Sequence, residues 1–295
     1  MSCTLDGATV ALLTPLDENA NIDEAALDRL LRRVLDGGVT GISPTGSTGE
    51  GARLSRAQRL EMTRLVRKLV PETTPVIPGL PLTSIAEGAE ELAQQADQGA
   101  SGALVAPPYY YPLSDEEARR LYLDLADRAA LPLVLYNIPV FTKVKFAPTV
   151  VAELAEHPNI VGIKDSSRDI EYFQELAGRT ENSDFSVITG SDTFFIACLL
   201  AGGVGTIAAS ANLVPQLPAG IYRAVQDGDI EKASQLERDL RRVIHICRVG
   251  NLPAAWKAAL AHLDVIQPYL AAPAAPLPAV LREELVRELT AAGVS

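Results

Sequence analysis

Short apolar runs alternate with longer amphipathic stretches along this chain, and they do so eight times. The runs are Ala8–Pro15, Val39–Pro44, Pro75–Gly79, Gly102–Pro107, Pro132–Asn137, Ile160–Lys164, Phe185–Thr189 and Val204–Ala208. Each is rich in Val, Ile, Leu or Ala with little alternation, the pattern of strands buried on both faces of a parallel sheet. Between them lie Ile22–Asp36, Ser55–Leu69, Ser84–Gln98, Ser114–Ala129 and Thr149–Glu156. Their apolar positions recur three and four apart, and most open at or just after Asp, Asn, Ser or Thr, as amphipathic helices do. The seventh unit is shorter, with Asp192–Leu200 as its only helix. Run starts recur about every 30 residues, the size of a βα unit.

Eight such units predict an α/β fold, a closed (β/α)8 TIM barrel, over an open doubly wound sheet with its switch point. After about Tyr222 the strands stop. Asp229–Val249, Leu252–Leu263 and Pro278–Ala292 read as helices, joined through the Pro-rich Gln267–Pro278. The expected organisation is a barrel carrying the site over residues 1–225 and a C-terminal helical region over 226–295.

Charge and cysteine content narrow the function. The 295 residues carry a formal net charge of −11. That balance argues against a nucleic-acid or anionic-membrane partner, since both need a basic footprint. It leaves an anionic substrate open, because a local site can oppose the global field. Three cysteines, Cys3, Cys198 and Cys247, form no disulfide framework and suit a reducing compartment. Thr193 to Tyr222 is uncharged and long enough to cross a bilayer. Gly202, Gly203, Gly205, Asn212, Pro215 and Pro218 punctuate it, so it reads as helix, buried strand, helix. The first basic residue is Arg29, so the positive start of a secretory leader is missing. A cytoplasmic enzyme is expected.

In a barrel the carboxyl ends of the strands face the active site. Here they read Thr14-Pro15, Gly46-Ser47-Thr48-Gly49, Tyr109-Tyr110, Tyr136-Asn137, Lys164-Asp165, Gly190-Ser191 and Ile207–Ser210. The set is rich in hydroxyls, poor in carboxylates and histidines, and holds one lysine. Of the chain's six lysines only Lys164 ends a hydrophobic run. Burial disfavours the ammonium form and yields a nucleophilic amine able to form a Schiff base with a carbonyl. A strand-end lysine paired with Asp165 fits the position equally well. Tyr136 suits a proton relay beside an imine, and would equally serve as a barrel-rim aromatic. The Gly46–Gly49 loop offers N–H groups and two hydroxyls for a carboxylate, or is a plain tight turn. It lacks the lysine of a phosphate loop and the spacing of a dinucleotide fingerprint. His157, His245 and His262 form no ligand cluster, and His245 and Cys247 point to different helix faces, so no metal is expected. Gly202-Gly203-Val-Gly205 leads the last strand instead of following it, which favours tight packing over a phosphate site.

These residues together resemble a known family. The chain is similar over nearly its whole length to the dihydrodipicolinate synthase / N-acetylneuraminate lyase superfamily of class I, pyruvate-dependent aldolases. The likeness is carried by Thr14-Pro15, Gly46-Ser-Thr-Gly-Glu50, Pro108-Tyr-Tyr110, Tyr136-Asn-Ile-Pro139, Gly162-Ile-Lys-Asp165 and Asn251–Leu260, in order and spacing. The resemblance implies that Lys164 forms the Schiff base with pyruvate or another 2-oxo acid, with no separate cofactor. It casts Tyr136, Ser47 and Tyr110 as a proton-relay trio, Tyr110 reaching across a tight dimer interface. Ser47 and Thr48 become the carboxylate cradle, and the Ile207 backbone carbonyl faces the imine. Gly190, Phe141 and Arg168 fall among the substrate-binding positions. A homotetramer built from tight dimers is implied as well.

Two departures bear on the substrate. Lysine-pathway members of that superfamily usually read Thr-Thr in the cradle and place an Arg two residues after the strand-five proline. Here the cradle is Ser-Thr, as in sialic-acid lyases and several sugar-acid aldolases, and the Arg position is Phe141. A phenyl ring makes no bidentate carboxylate bond. Arg168 or Lys143 is the candidate for a displaced cation. The strand-three loop, Gly79-Leu-Pro-Leu82, also departs from the lysine feedback site. The expected activity is cleavage or formation of a 2-oxo acid, with a 2-keto-3-deoxy sugar acid giving pyruvate and an aldehyde. Ile138, Val140 and Phe141 would form its apolar wall beside Ser166, Ser167 and Ser210. The alternatives are 4-hydroxy-tetrahydrodipicolinate synthesis, 4-hydroxy-2-oxoglutarate or hydratase-aldolase chemistry, and a non-catalytic 2-oxo-acid sensor.

Overall fold

The computed structural model describes Cys3 and residues 5–294. Among the described residues, eight parallel strands form a nearly closed barrel: β1 Gly7–Ala11, β2 Gly41–Ser43, β3 Gly79–Pro81, β4 Ala103–Ala106, β5 Leu133–Asn137, β6 Ile160–Asp165, β7 Ser186–Thr189 and β8 Gly205–Ala208. Hydrogen bonding runs β2-β1-β8-β7-β6-β5-β4-β3. The seam between β2 and β3 is closed by a parallel bridge from Ile42 to Val76 and by Gly79 N–H donating to the Pro44 carbonyl at 2.8 Å. The fold is therefore the TIM barrel that the eightfold alternation predicts.

Around the barrel lie α1 Glu24–Asp36, α2 Arg56–Leu69, α3 Ile85–Asp97, α4 Asp115–Ala126, α5 Pro139–Thr142, α6 Pro148–Leu154, α7 Ile170–Thr180, α8 Phe195–Leu200 and α9 Gln216–Gln226. Then follow α10 Ile230–Ile246, α11 Ala254–His262 and α12 Ala279–Ala291. The expected polar starts act as N-caps. Asp23 accepts from Ala26 N–H at 2.9 Å, and Ser55–Gln58 and Ser114–Glu117 each form a reciprocal capping box, contacts typically worth about 1 kcal/mol each.

Three differences from the sequence expectation stand out. The third strand is Gly79–Pro81, C-terminal to most of the Pro75–Gly79 run. Pro75 and Pro78 lack the N–H groups a ladder needs, so that run supplies the barrel seam. The Asp192–Leu200 stretch splits into a 3-10 turn, Asp192–Phe194, followed by α8. The short α5, directly after β5, has no counterpart in the sequence pattern because four residues carry no periodicity.

Strand side chains alternate between two environments. Ala11, Ile77, Leu104, Val134, Ile188 and Ile207 fill the barrel interior, while their chain neighbours pack outward under the helices. One outer cluster runs from Leu27 of α1 through Ile221 of α9 to Val243 of α10, Leu260 of α11 and Leu289 of α12. The C-terminal helices therefore share the barrel's apolar layer. The Gly203 region packs tightly: a Cβ there would stand 2.7 Å from the Phe173 ring. Among the described residues, no helix is long and apolar enough to cross a membrane.

Candidate active site

The interior of the barrel is apolar until the ends of β5 and β6, where the parallel register sets Tyr136 beside Lys164. Both side chains are 5% exposed. The Tyr136 hydroxyl lies 3.4 Å from Lys164 Nζ, and the ammonium stands 4.5 Å from the centre of the tyrosine ring. That hydroxyl spacing is long for a hydrogen bond. Alternation along β6 sends Asp165 to the other face. Its oxygens are taken by Asn137 Nδ2 at 2.7 Å, Ser167 N at 3.1 Å and Ser167 Oγ at 2.9 Å. Among the described residues Lys164 makes no ion pair, so the pairing with Asp165 that its position allowed is not formed. Burial raises the pKa of the Asp165 carboxyl above the ordinary value, opposed by its bonds to Asn137 and Ser167.

Lys164 opens into a cavity of ≈ 340 Å³ at the carboxyl ends of the strands. Ser47, Thr48, Tyr136, Gly190 and the buried Ile207 line it with Lys164. Gly190 is required by proximity: a Cβ there would meet Ser166 Oγ and come within 2.7 Å of Lys164 Cε. Ser47 and Thr48 are held by a tightly anchored loop. Thr14 Oγ1 donates to the Gly49 carbonyl at 2.7 Å, Thr45 Oγ1 to the Gly79 carbonyl at 3.0 Å, and Gly51 N to the Gly46 carbonyl at 3.0 Å. Thr45 and Glu50 flank it in left-handed conformations, φ 57° and 61°, each a cost of about 1–3 kcal/mol that the surrounding fold sustains.

Ile138, Val140, Phe141, Ser166, Arg168, Ser191, Asp192 and Thr193 also line the cavity. Phe141 is 51% exposed at the mouth. Arg168 lines the same space with a left-handed backbone, φ 63°. Lys143 does not line it; its Nζ donates to the Val140 carbonyl at 3.0 Å. Of the three expected serines only Ser166 lines the cavity. Ser167 is committed to Asp165, and Ser210 to Asp192. A second cleft of ≈ 350 Å³ adjoins, sharing Ser47, Tyr136, Ile138 and Phe141 and adding Tyr109.

Tyr110 is not brought to Lys164. It is 81% exposed and stacks edge-on with Tyr111, ring centres 4.9 Å apart. Within one chain the three-hydroxyl arrangement is therefore incomplete.

Two contributors escape the sequence pattern. Asp192 is 7% exposed; its Oδ2 accepts from Ser210 Oγ at 2.5 Å and Ser210 N at 3.3 Å, while among the described residues its buried Oδ1 has no hydrogen-bond partner. Burial raises its pKa, opposed by the Ser210 bonds and the Lys164 charge. Its place beside Gly190-Ser191 was visible, but an Asp opening a helical stretch reads as a cap. The segment Cys247–Pro253, between α10 and α11, and Trp256 of α11 also line the cavity; Asn251 onward falls in the stretch that carries the family likeness, but nothing in periodicity points to Cys247–Gly250. Among the described residues no three His, Cys, Asp or Glu side chains come together as a metal cluster.

A barrel whose buried lysine meets a tyrosine hydroxyl at the rim has the architecture of an imine-forming lyase of the class I aldolase type. The chain belongs to the dihydrodipicolinate synthetase family, whose model matches residues 4–292. It is 33% identical over 288 residues to the 4-hydroxy-tetrahydrodipicolinate synthase of Thermodesulfovibrio yellowstonii, covering 98% of each chain. It is 31% identical to an uncharacterized DapA-like lyase of Thermofilum pendens, covering 97% of each. Among solved structures, the dihydrodipicolinate synthase of Thermotoga maritima superposes with a TM-score of 0.95 at 30% identity, over 99% of each chain. YagE of E. coli, solved in complex with pyruvate, gives 0.93 at 27% identity, over 98% of this chain and 99% of that one. The protein is thus a pyruvate aldolase/lyase of this family, and family members work through a covalent lysine–pyruvate Schiff base.

Proposed function

We propose that this enzyme cleaves, and in reverse forms, a 2-keto-3-deoxy sugar acid, giving pyruvate and an aldehyde through an imine on Lys164. The observation that carries this reading is the cavity lining: an apolar Phe141 stands where a carboxylate-gripping arginine would be needed, in a lining that also carries the hydroxyls of Ser166, Ser191 and Thr193. Those hydroxyls suit the hydroxyls of a sugar acid, whereas the carboxylate of aspartate semialdehyde would find at Phe141 no bidentate partner of the kind an arginine supplies.

In this mechanism the Lys164 amine adds to the C2 carbonyl and the carbinolamine loses water to give the imine. Tyr136, 3.4 Å from Nζ, carries the protons these steps move. The imine accepts the electron pair when the C3–C4 bond breaks; the C4 hydroxyl loses its proton and the aldehyde departs. The remaining enamine is protonated at C3 and water releases pyruvate. Ser47 and Thr48 bind the substrate carboxylate, the Ile207 backbone carbonyl faces the imine, and Tyr110 of a neighbouring copy completes the relay with Tyr136 and Ser47 in a tetramer of tight dimers.

A second reading, condensation of pyruvate with aspartate semialdehyde, draws support from Arg168, a cation lining the same cavity as Phe141. The test is kcat/KM for pyruvate release from a panel of 2-keto-3-deoxy sugar acids against that for the condensation. Sugar-acid cleavage is expected to lead by at least about tenfold, ~1.4 kcal/mol in the transition state. Efficient condensation with no sugar-acid cleavage overturns the proposal and makes Arg168 the cation to substitute next.

A further inference from the structure

One ion pair of this protein is completely buried and takes no part in the chemistry above. Lys257 Nζ of α11 lies 2.6 Å from Glu50 Oε1, and both side chains are 0% exposed. Lys257 also donates to the Tyr269 carbonyl at 2.6 Å. Glu50 Oε2 accepts from Ala271 N at 2.9 Å and has Arg53 at 3.7 Å. Taking two charges out of water costs several kcal/mol per ion, and well-packed apolar residues often serve stability as well. Stability alone is thus a weak account of the pair.

Its placement is more telling. Glu50 directly follows the Gly46–Gly49 loop and sits in the left-handed conformation at φ 61°. The loop's other anchors, from Thr14 and to Gly79, tie it to the barrel itself. Glu50 ties it instead to α11 and to the connector that follows. The neighbour of Lys257 in sequence, Trp256, lines the catalytic cavity together with Asn251, Leu252 and Pro253. One helix therefore lines the cavity with Ala255 and Trp256 and, through the next residue, Lys257, holds Glu50 at the end of the loop carrying Ser47 and Thr48.

We propose that Glu50 and Lys257 are positioning residues: the buried pair braces the Ser47–Thr48 loop from α11 and so sets the affinity of the site for the 2-oxo-acid carboxylate. This rests on the reading of that loop as the carboxylate cradle. A carboxylate contact made equally in ground and transition states governs half-saturation more than the limiting rate.

The test is the pyruvate dependence of borohydride trapping on Lys164 in the full-length protein, with thermal melting alongside. Glu50→Gln/Lys257→Met removes both charges, while glutamine retains an oxygen for Ala271 N. Glu50→Asp keeps the charge but shortens the brace by one methylene, and covers the case in which the double variant fails to fold. Both variants are expected to raise half-saturating pyruvate by about tenfold, with the limiting trapping rate within about threefold of the parent. Lys257→Arg, which keeps the charge, is expected to fall between them and the parent. Thr48→Ala separates the two layers of the argument. If it raises half-saturation while folded brace variants leave it unchanged, the brace is purely structural and the proposal fails. If Thr48→Ala itself has no effect, the cradle reading falls, and the proposal with it.

Discussion

Gly190→Ala tests the geometry around Lys164 without removing any functional group. The added Cβ would stand 2.7 Å from Lys164 Cε, whereas ordinary contact begins near 3.4 Å. Ser166 Oγ, the other neighbour, can swing aside, while Lys164 must yield into the cavity by the difference, about 0.7 Å, which moves Nζ from its place beside Tyr136. Misplacing a reacting group by about 1 Å can cost 10²-fold, so a fall of about 10- to 100-fold is expected in the rate of pyruvate-dependent borohydride trapping. Stability should fall, by at most about 2.5 kcal/mol. The backbone at Gly190 is not left-handed, so alanine gains about 0.4–1 kcal/mol from the unfolded state against an overpacking cost of about 1–3 kcal/mol. The assay is single-turnover trapping followed by mass spectrometry, with a thermal melt to confirm the fold. A trapping rate within twofold of the parent, in a variant whose melt shows it folded, would refute the claim that Gly190 is fixed by its approach to the lysine.

Two further outcomes follow from the same site. Tyr136→Phe should reduce kcat by about 10²- to 10⁴-fold, the usual share of a general acid–base group; turnover at the parent rate returns Tyr136 to a purely structural role. Asp192→Asn should raise thermal stability at neutral pH. Burial holds the native carboxyl above its ordinary value of 3.8, so the folded state binds the proton more tightly and stability is lost as pH rises above that value. The gain in the variant should shrink as pH is lowered towards 3.8; a gain that is constant with pH would show that the carboxylate is not under strain.

The parts of this protein legible in its sequence were those governed by periodicity and caps. Unbroken apolar runs such as Leu133–Leu135 mark strands covered on both faces, and Ser55 and Ser114 announce the helices they cap. Lys164 was visible because a charge at the end of an apolar run is out of place unless it is used. The remainder depended on through-space relations. The distance from Tyr136 to Lys164 is set by strand register, which alternation along one strand does not encode. Asp192 reads locally as a helix cap, and only the fold shows one oxygen taken by Ser210 and the other buried without a hydrogen-bond partner among the described residues. Glu50 and Lys257 lie 207 positions apart, and no local pattern joins them. The resemblance placed Tyr110 in the site, but one chain leaves it exposed on the surface, so its role turns on a neighbouring copy.

The most direct test of the account is borohydride reduction of the protein in the presence of pyruvate, followed by peptide mapping. One added reduced pyruvyl group is expected on the peptide containing Lys164, and its loss in Lys164→Arg, whose guanidinium stays protonated. An adduct on another lysine, or none at saturating pyruvate, would contradict the assignment of Lys164 as the imine-forming residue.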